Sequence, residues 1–357
     1  MPEPIKRHNH FVPEMYLKNW ATKNKVNTYS LLVPHENVPV WKEKSIEYSA
    51  SLDNLYVRHD DGAEVDDFEN EFMHRYETPA KAPLEKATNG QRLTSEDWRI
   101  LIDYIAAQIV RTPAFYLKSQ NYMKELIPEA IETVAKEINT LTPDQIKNQN
   151  RKVSDDEIIL PITVDFTGIK ADDCSQFVKI TAVAGKTTWL FSMKHLLTNV
   201  APVLHRYKWS IVSPEEGICW PTSDDPVICL NYYGDGHYDF NGGWGKKGCE
   251  IFMPISPTKA IYTQIGVKHP PRMVFNREES LLIKKLIVEH AFMNVYAYDE
   301  DEEIPLINPR TVNLEEYKRI KTEFEEWYGK YQDDEVPYLE PHLFQKGESI
   351  QEVLSRS

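Results

Sequence analysis

The chain has 357 residues, 41% of them hydrophobic, and is therefore long enough to bury one large core or two ordinary ones. Its 55 acidic residues outnumber the 41 lysines and arginines; the net charge of −14 excludes a protein that coats nucleic acid through phosphate neutralisation but is compatible with a local basic cleft. No apolar run could cross a bilayer and the four cysteines lack Cys-x-x-Cys spacing, so we expect a cytoplasmic protein with reduced thiols and no membrane partner.

Strands are predicted first along the chain, followed by helices. Aromatic and β-branched residues predict strands within residues 26–32 and 45–57. Apolar residues then recur at helical spacing from Val65 to Tyr76, which predicts an amphipathic helix that ends near Pro79.

A buried helix is predicted next. Thr94 and Asp97 have the spacing of a capping box, and the segment 98–110 that follows is apolar nearly all round. Pro113 should break or kink this helix, and another helix is expected over residues 116–138.

The middle of the chain changes from helical to strand character. A short helix could start at Thr142, strand character returns over residues 156–166, and residues 173–200 are expected to be helical. The segment 231–248 contains six glycines and Trp244, and it is predicted to be a mobile lid or a disordered excursion. Further strands are predicted at residues 206–212, 227–230, 249–254 and 260–265.

Two capped helices are predicted near the C-terminus. Asn276 and Asn313 each precede a glutamate by three residues, which predicts helices that end near Met293 and Tyr328. The remaining tail is acidic and proline-spaced, and we expect it on the surface.

Strand-rich and helix-rich runs are segregated along the chain, which favours the α+β class over α/β. We expect a mixed or antiparallel sheet packed against a buried helical layer, with a C-terminal helix and a surface tail. The expected organisation is one domain over residues 1–300, with a helical insertion at about 64–150, followed by a helix and acidic tail at 301–357.

Two imidazoles near the N-terminus are the first candidates for chemistry. His8 and His10 are two positions apart, so in an extended segment both rings would share one face and could reach one metal ion or one phosphate. The alternative is a frayed terminus with two solvated histidines. His10 is the stronger candidate because the apolar block of residues 11–17 would anchor its backbone.

The buried helix carries the second candidate group. Tyr104, Gln108 and Arg111 are spaced so that they project from one helix face. An arginine at the end of an apolar helix needs an anionic or carbonyl partner, so Arg111 is either a structural residue tied inside the core or the receptor of an anionic substrate group. In the second case Gln108 and Tyr104 would help to orient the substrate.

The third candidate group lies between two predicted strands, at residues 220–226. Asp224 and Asp225 precede a proline, a pattern that suits a turn and equally suits a metal or an acid–base pair at a strand end. Ser223 and Asp225 are expected to contact a substrate if Asp224 is catalytic.

Several motifs share one order and spacing with a known family. They are His10-Phe11-Val12-Pro13, Tyr16-Leu17, Trp20, Ile105-Ala106-Ala107-Gln108, Arg111-Thr112-Pro113, Trp209, Thr222-Ser223-Asp224-Asp225-Pro226-Val227 and Pro254-Ile255-Ser256-Pro257. Together they resemble the bacterial family named domain of unknown function 4238, over about residues 5–300. Asp225 stands where asparagine is more usual in that family. His8 and His10 are two positions apart, whereas the family is expected to have adjacent histidines or a single one. The resemblance implies no activity, but its polar motifs suit a pocket that the fold assembles.

One hypothesis is a hydrolytic enzyme, a nuclease or phosphodiesterase-like effector. Its substrate would be a nucleotide or nucleic acid. His10 and Asp224 would bind a divalent metal ion or act as base and acid, while Arg111 stabilises the anionic transition state.

The alternative hypothesis is a non-catalytic binding or sensor protein with a protein partner. In it Arg111 forms a structural ion pair with Asp224. The segment 231–248, with Tyr232, Tyr233 and Trp244, would be the recognition surface.

Overall fold

The computed structural model describes residues 7–60, 63–138, 162–166, 178–184, 186–234, 236–325 and 334–335. The short helix predicted to start at Thr142 and nearly all of the predicted C-terminal tail lie outside these residues. The elements below are numbered in chain order within the described ranges.

The α-helices differ greatly in length. They are α1 (Glu14–Leu17), α2 (Asp67–Phe72), α3 (Thr78–Thr88), α4 (Ser95–Val110), α5 (Pro113–Ile138), α6 (Lys186–His195), α7 (Arg277–His290), α8 (Ile304–Ile307) and α9 (Leu314–Glu325). Short 3₁₀ or π-helical turns extend several of them, at Lys18–Trp20, Met73–Glu77, Leu196–Val200 and Ala201–Arg206. A separate 3₁₀ turn lies at Ile46–Tyr48.

The strands are mostly short. They are β1 (His8–His10), β2 (Lys25–Ser30), β3 (Leu32–Val33), β4 (Trp41–Ser45), β5 (Ser51–Asp53), β6 (Arg58–Asp60), β7 (Ala63–Val65), β8 (Ile162–Phe166), β9 (Val178–Ala184), β10 (Ser210–Ser213), β11 (Thr222–Ser223), β12 (Ile228–Gly234), β13 (His237–Asp239), β14 (Glu250–Ser256), β15 (Lys259–Gln264), β16 (Arg272–Val274), β17 (Asn294–Ala297), β18 (Thr311–Val312) and β19 (Asp334–Glu335).

The chain divides into two compact units. The first comprises residues 1–116 and 193–329, and the second comprises residues 117–192 and 330–357. Within the second unit, β9 pairs antiparallel with both β8 and β19. Every candidate residue named above lies in the first unit. The domain boundaries expected from the sequence stay predictions.

Two sheets organise the first unit. One has the strand order β13-β12-β14-β15-β10-β16, and its only parallel pair among the described strands is β10 with β16. The other has the order β11-β17-β2-β4 and is antiparallel throughout. Helix α7 contributes Leu286 and Ile287 to the core of the larger sheet, and Val288 to the core that includes Tyr29 and Val295 of the smaller sheet. The expected α+β class with mixed and antiparallel sheets is therefore confirmed.

Helix α4 confirms the predicted capping box. The Thr94 hydroxyl accepts the backbone N–H of Asp97, and the Asp97 carboxylate accepts the backbone N–H of Thr94. Most residues of α4 are buried, as its all-round hydrophobicity indicates. The next helix begins at Pro113 and not at 116, because proline is well tolerated at the first position of a helix.

Two sequence-based expectations are corrected. Residues 173–200 contain strand β9 before helix α6, because the alternating β-branched residues from Val178 to Ala184 favour a strand. The segment 231–248 begins as an ordered β12–β13 hairpin, in which the positive φ angles of Gly234 and Gly236 permit the turn. It continues in close packing, since a Cβ at Gly242 would lie 2.5 Å from the Cys249 sulfur.

Among the described helices, no single one is both long and apolar enough to cross a membrane. Helix α4 and the start of α5 meet the criterion of length and composition only when taken together as a bent pair.

Candidate functional site

The end of helix α4 holds the N-terminal segment by its main chain. The Gln108 side chain donates from Nε2 to the carbonyl oxygen of Phe11, at 2.6 Å. Arg111 donates from Nη2 to the carbonyl oxygen of His10. Two motifs that are about a hundred residues apart in sequence therefore meet, but through the backbone of His10 and not through its imidazole.

Arg111 is enclosed by partners on every side that the structure describes. Its side chain is 1% exposed, Nη1 lies 2.5 Å from Oε1 of Glu77, and Nε donates to the Tyr56 hydroxyl at 3.1 Å. The guanidinium also lies over the rings of Tyr56 and Phe72. Burial by itself lowers the pKa of Arg111. Tyr56 and the nearby acids raise it by more than burial lowers it, so the pKa is raised overall and the group stays charged.

This arrangement corrects the ion pair expected between Arg111 and Asp224, because Glu77 is the carboxylate that Arg111 meets. The guanidinium is sealed in the core, where an anionic substrate would have to displace Glu77 to reach it. The role of Arg111 as a transition-state stabiliser stays a prediction, and the burial of Arg111 and its pairing with Glu77 argue against it.

Tyr104 and Gln108 are also buried. Neither the Tyr104 hydroxyl nor Oε1 of Gln108 has a hydrogen-bond partner among the described residues. Burial raises the pKa of Tyr104, so its hydroxyl stays protonated. Their predicted substrate contacts would require an opening in the core beside α4.

Asp224 is buried and ties its loop to strand β17. Its Oδ1 accepts the backbone N–H of Phe292 at 2.9 Å, and its Oδ2 accepts those of Met293 and Asn294 at 2.8 and 2.9 Å. Burial raises the pKa of Asp224 to about 7, against the lowering effect of these donors. Both carboxylate oxygens thus hold the protein's own backbone.

Asp225 connects two of the predicted motifs. Its Oδ1 accepts a hydrogen bond from the Thr112 hydroxyl at 3.0 Å, and its backbone N–H donates to the Ser223 hydroxyl at 3.2 Å. His290 donates from Nδ1 to the Asp225 carbonyl oxygen at 3.0 Å, and its Nε2 lies 3.7 Å from Oδ2. The Arg-Thr-Pro and Ser-Asp-Asp-Pro motifs therefore meet in space.

These anchored segments form the wall of a cavity of about 190 Å³. Gln108 and Arg111 hold the chain at Phe11, while Asp224 holds residues 292–294. Thus several motif residues position the cavity lining instead of projecting freely into it. The lining consists of Phe11, Lys44, Tyr48, Ser49, Ala50, Ser51, Leu52, Pro113, Asp224, Phe292, Met293, Asn294 and Tyr296.

Lys44 is the cation of this cavity. The register of the smaller sheet places Lys42 and Lys44 of β4 on the same face as Thr28 and Tyr296. Lys44 is half-buried, and within the described ranges no carboxylate lies within 4.0 Å of its ammonium. Burial, together with the like charge of Lys42, lowers the pKa of Lys44, while the charge of Asp224 partly offsets this.

His8 lies next to Tyr48, which lines the cavity. The His8 ring approaches two acceptors, with Nδ1 2.9 Å from Oδ1 of Asp53 and Nε2 2.8 Å from the Glu47 carbonyl oxygen. A neutral imidazole can donate only once, so the imidazolium fits this site best. Although burial opposes it, these acceptors raise the pKa of His8. The Tyr48 ring packs against His8 with 5.6 Å between centroids.

His10 has weaker contacts than His8. Its Nε2 donates to the Ile46 carbonyl oxygen at 3.3 Å and lies 3.9 Å from the Glu14 carboxylate. Burial lowers the pKa of His10. In the ranges that the structure describes, no group of three or more His, Cys, Asp or Glu residues could hold a metal ion, so the predicted pair of His10 and Asp224 gains no third ligand.

A larger cavity of about 420 Å³ lies elsewhere in the first unit. Acidic residues 299–303 and the Cys219 thiol line it, and Lys284 lies in its wall with Nζ 2.5 Å from carboxylate oxygens of Asp301 and Glu303. No motif of the sequence indicated this cavity. These short ion pairs join α7 to the segment before α8.

Neither Lys44 nor Tyr48 was a candidate from the sequence. One signal could have found Lys44: residues 41–45 alternate Trp, Lys, Glu, Lys and Ser, which places two lysines on one strand face of a strongly acidic protein. Such a local excess of positive charge is the expected sign of an anion site.

Comparison with known proteins identifies a family but no activity. No curated protein and no solved structure matches the chain. The model of the family described as "Protein of unknown function (DUF4238)" matches residues 8–301, which include all the motifs discussed above. The chain therefore belongs to the DUF4238 family.

Proposed function

We propose that this protein is a binding protein for a small anionic ligand, which enters the 190 Å³ cavity and pairs with Lys44. The observation that carries the proposal is a half-buried ammonium in a cavity, with no carboxylate within 4.0 Å among the described residues. A cation withdrawn from water without a counter-ion is stabilised by an anion that supplies one.

The cavity has the other features of a small-molecule site. It is concave, and aromatic and aliphatic side chains such as Phe11, Leu52 and Tyr296 line it around a few polar groups. Its walls are fixed by buried hydrogen bonds that the Gln108 amide donates and the Asp224 carboxylate accepts, so little reorganisation would oppose binding. Phosphate- and carboxylate-bearing compounds are therefore the first ligands to test.

The direct experiment is calorimetric titration of the full-length protein with phosphate-bearing compounds, beginning with sugar phosphates and nucleotides. Lys44→Met should weaken the binding of every ligand that the wild-type protein binds. Lys25→Met is a matched control, because Lys25 is an exposed residue of the neighbouring strand β2. Equal affinities for wild type and Lys44→Met would refute an anion site at Lys44.

Hydrolysis of a bound phosphate ester is the second candidate function. The observation that favours it is that Asp224 lines the same cavity with a pKa of about 7, which suits proton exchange near neutral pH. Release of phosphate or alcohol from nucleotides, RNA and aryl phosphodiesters tests it. If compounds that bind at Lys44 are recovered unchanged, the binding function alone stands.

A further inference from the structure

We propose that the ligand of the Lys44 cavity is a mononucleotide, whose phosphate meets Lys44 while its base stacks on Tyr48. This inference rests on the proposed function and adds the chemical class of the ligand. Its basis is the position of Tyr48, which lines the cavity and is nevertheless 69% exposed.

Tyr48 is positioned by a rigid stretch of main chain. The backbone N–H of Ser49 donates to the Ile46 carbonyl oxygen at 3.2 Å, and the Ser49 hydroxyl donates to the Ser45 carbonyl oxygen at 2.8 Å. The carbonyl oxygen of Glu47 accepts a hydrogen bond from Nε2 of His8 at 2.8 Å. These hydrogen bonds hold the main chain on both sides of Tyr48, so the residue is kept at the cavity and its ring is accessible to a flat partner.

An exposed aromatic ring, beside a cation with no carboxylate within 4.0 Å among the described residues, suits the two parts of a nucleotide. Every base has a flat face that can stack on an aromatic side chain, and the phosphate supplies the charge that Lys44 needs. Lys42 lies on the same strand face, and the imidazolium form of His8 lies beside Tyr48. These three groups form a local positive field in a chain whose net charge is −14.

The acids near this field weaken it, because Asp224 lines the same cavity and its charge acts on Lys44. Both carboxylate oxygens of Asp224 accept backbone N–H groups, and the Asp53 carboxylate faces His8. The Glu47 and His10 side chains also lie near the His8 ring. Lys44 thus remains the charge that an entering phosphate meets.

The size of the cavity indicates a single nucleotide. At about 190 Å³ it is smaller than the roughly 300–1,000 Å³ of a site that encloses a drug-sized ligand. The phosphate and sugar would fill it, and the base would remain at the mouth, where Tyr48 is exposed. A nucleic acid polymer is disfavoured because its further phosphates would meet a strongly acidic surface.

The test compares AMP with ribose 5-phosphate, which has the same phosphate and sugar but lacks the base. Calorimetry on the full chain should give the wild-type protein a preference of about tenfold for AMP, as expected for one base stacked on an aromatic ring. Tyr48→Leu should remove this preference and leave the affinity for ribose 5-phosphate unchanged, whereas Tyr48→Phe should keep it. Tyr298→Leu is the matched control, since Tyr298 is an exposed tyrosine at the other cavity.

The outcomes separate the two proposals. Both proposals are supported if Lys44→Met loses binding of AMP and of ribose 5-phosphate, while Tyr48→Leu loses only the preference for AMP. If ribose 5-phosphate binds through Lys44 but AMP binds no better, the anion site stands and the nucleotide inference is overturned. Retention of the AMP preference in Tyr48→Leu overturns it as well. If wild-type protein binds neither compound, the nucleotide inference fails, and other carboxylates and phosphates decide the broader proposal.

Discussion

The first unit contains two cations in contrasting surroundings, Arg111 and Lys44. Arg111 is 1% exposed and has a carboxylate, a hydroxyl and a carbonyl oxygen as partners. Lys44 is half-buried on the wall of a cavity, with no carboxylate within 4.0 Å in the described part of the chain. The guanidinium can satisfy several fixed acceptors with its planar fork, while the ammonium is a point charge on a flexible stem.

This contrast shows that burial of a cation is not evidence for substrate binding. A fully partnered charge is part of the scaffold, and its energetic role is revealed only when one partner is removed. A charge that lacks a counter-ion beside an open volume can gain stability from a ligand. In this protein the scaffold cation and the cavity cation are linked, because Arg111 and Gln108 fix the segment that carries Phe11.

The largest effect is expected from Arg111→Met. It leaves Glu77 without its cation and the His10 carbonyl oxygen without this donor, so the free energy of unfolding should fall by about 3–5 kcal/mol. Urea denaturation of the purified protein measures the change. Arg99→Met is the control, since Arg99 forms exposed ion pairs on the same helix and its loss should change stability by about 0.5 kcal/mol or less.

The double variant Arg111→Met with Glu77→Leu sharpens this prediction. If the loss comes from an uncompensated carboxylate, removal of that carboxylate should restore part of the stability. A single-variant loss below about 1 kcal/mol would contradict the view of Arg111 as a scaffold residue.

Asp224→Asn should have the next largest effect. An amide can accept through one oxygen only, so its nitrogen would face one of the backbone N–H groups that the carboxylate now accepts. The cost of an unsatisfied buried donor is about 1–3 kcal/mol, measurable by urea denaturation. Asp225→Asn is the comparison variant, because an amide oxygen could still accept the Thr112 hydroxyl at the place of Oδ1, although the contact of Oδ2 with His290 would be altered. Equal losses for the two variants would contradict the scaffold role of Asp224.

Lys44→Met should reduce ligand affinity and leave stability nearly unchanged, whereas Arg111→Met should reduce stability, although both changes remove a cation. Since Lys44 has no ion pair with any residue that the structure describes, we expect the free energy of unfolding to change by about 0.5 kcal/mol or less, while ligand affinity is lost. Parallel urea denaturation and calorimetry on one preparation test this separation. A loss of stability comparable to that of Arg111→Met would remove the contrast between the two cations.

The sequence predicts best what is encoded locally. The capping box of Thr94 and Asp97, and the similar one at Asn276, were placed correctly because a cap depends on residues three positions apart. The α+β class followed from segregated runs of strand and helix patterns. Local patterns failed at residues 178–184, where β-branched residues form a strand inside a predicted helix.

Partners across long sequence separations could not be predicted in the same way. The need of Arg111 for an anionic or carbonyl partner is evident from its apolar helix, but the choice of Glu77 depends on how the helices pack. Likewise the sequence shows two lysines on one strand face, while only the fold places Lys44 in a cavity with Tyr48. The sequence motifs indicated the part of the chain that forms this cavity. In the tertiary structure most of their polar groups hold the segments that line it.

The smallest expected effect concerns His8, whose pKa is raised above the 6.5 of a free imidazole. A raised pKa in the folded state means that the imidazolium stabilises the fold below pH 6.5, and that this contribution is lost as the pH rises through the folded-state pKa. The side chain is 38% exposed, so solvent screening limits the contribution to about 0.5 kcal/mol. Wild type should therefore exceed His8→Gln in the free energy of unfolding below pH 6.5, and the difference should disappear as the pH rises through the folded-state pKa of His8. The control variant, measured in parallel, is His237→Gln at an exposed histidine of β13. A gap for His8→Gln that widens with rising pH would contradict the imidazolium assignment, and with it the positive charge beside Tyr48.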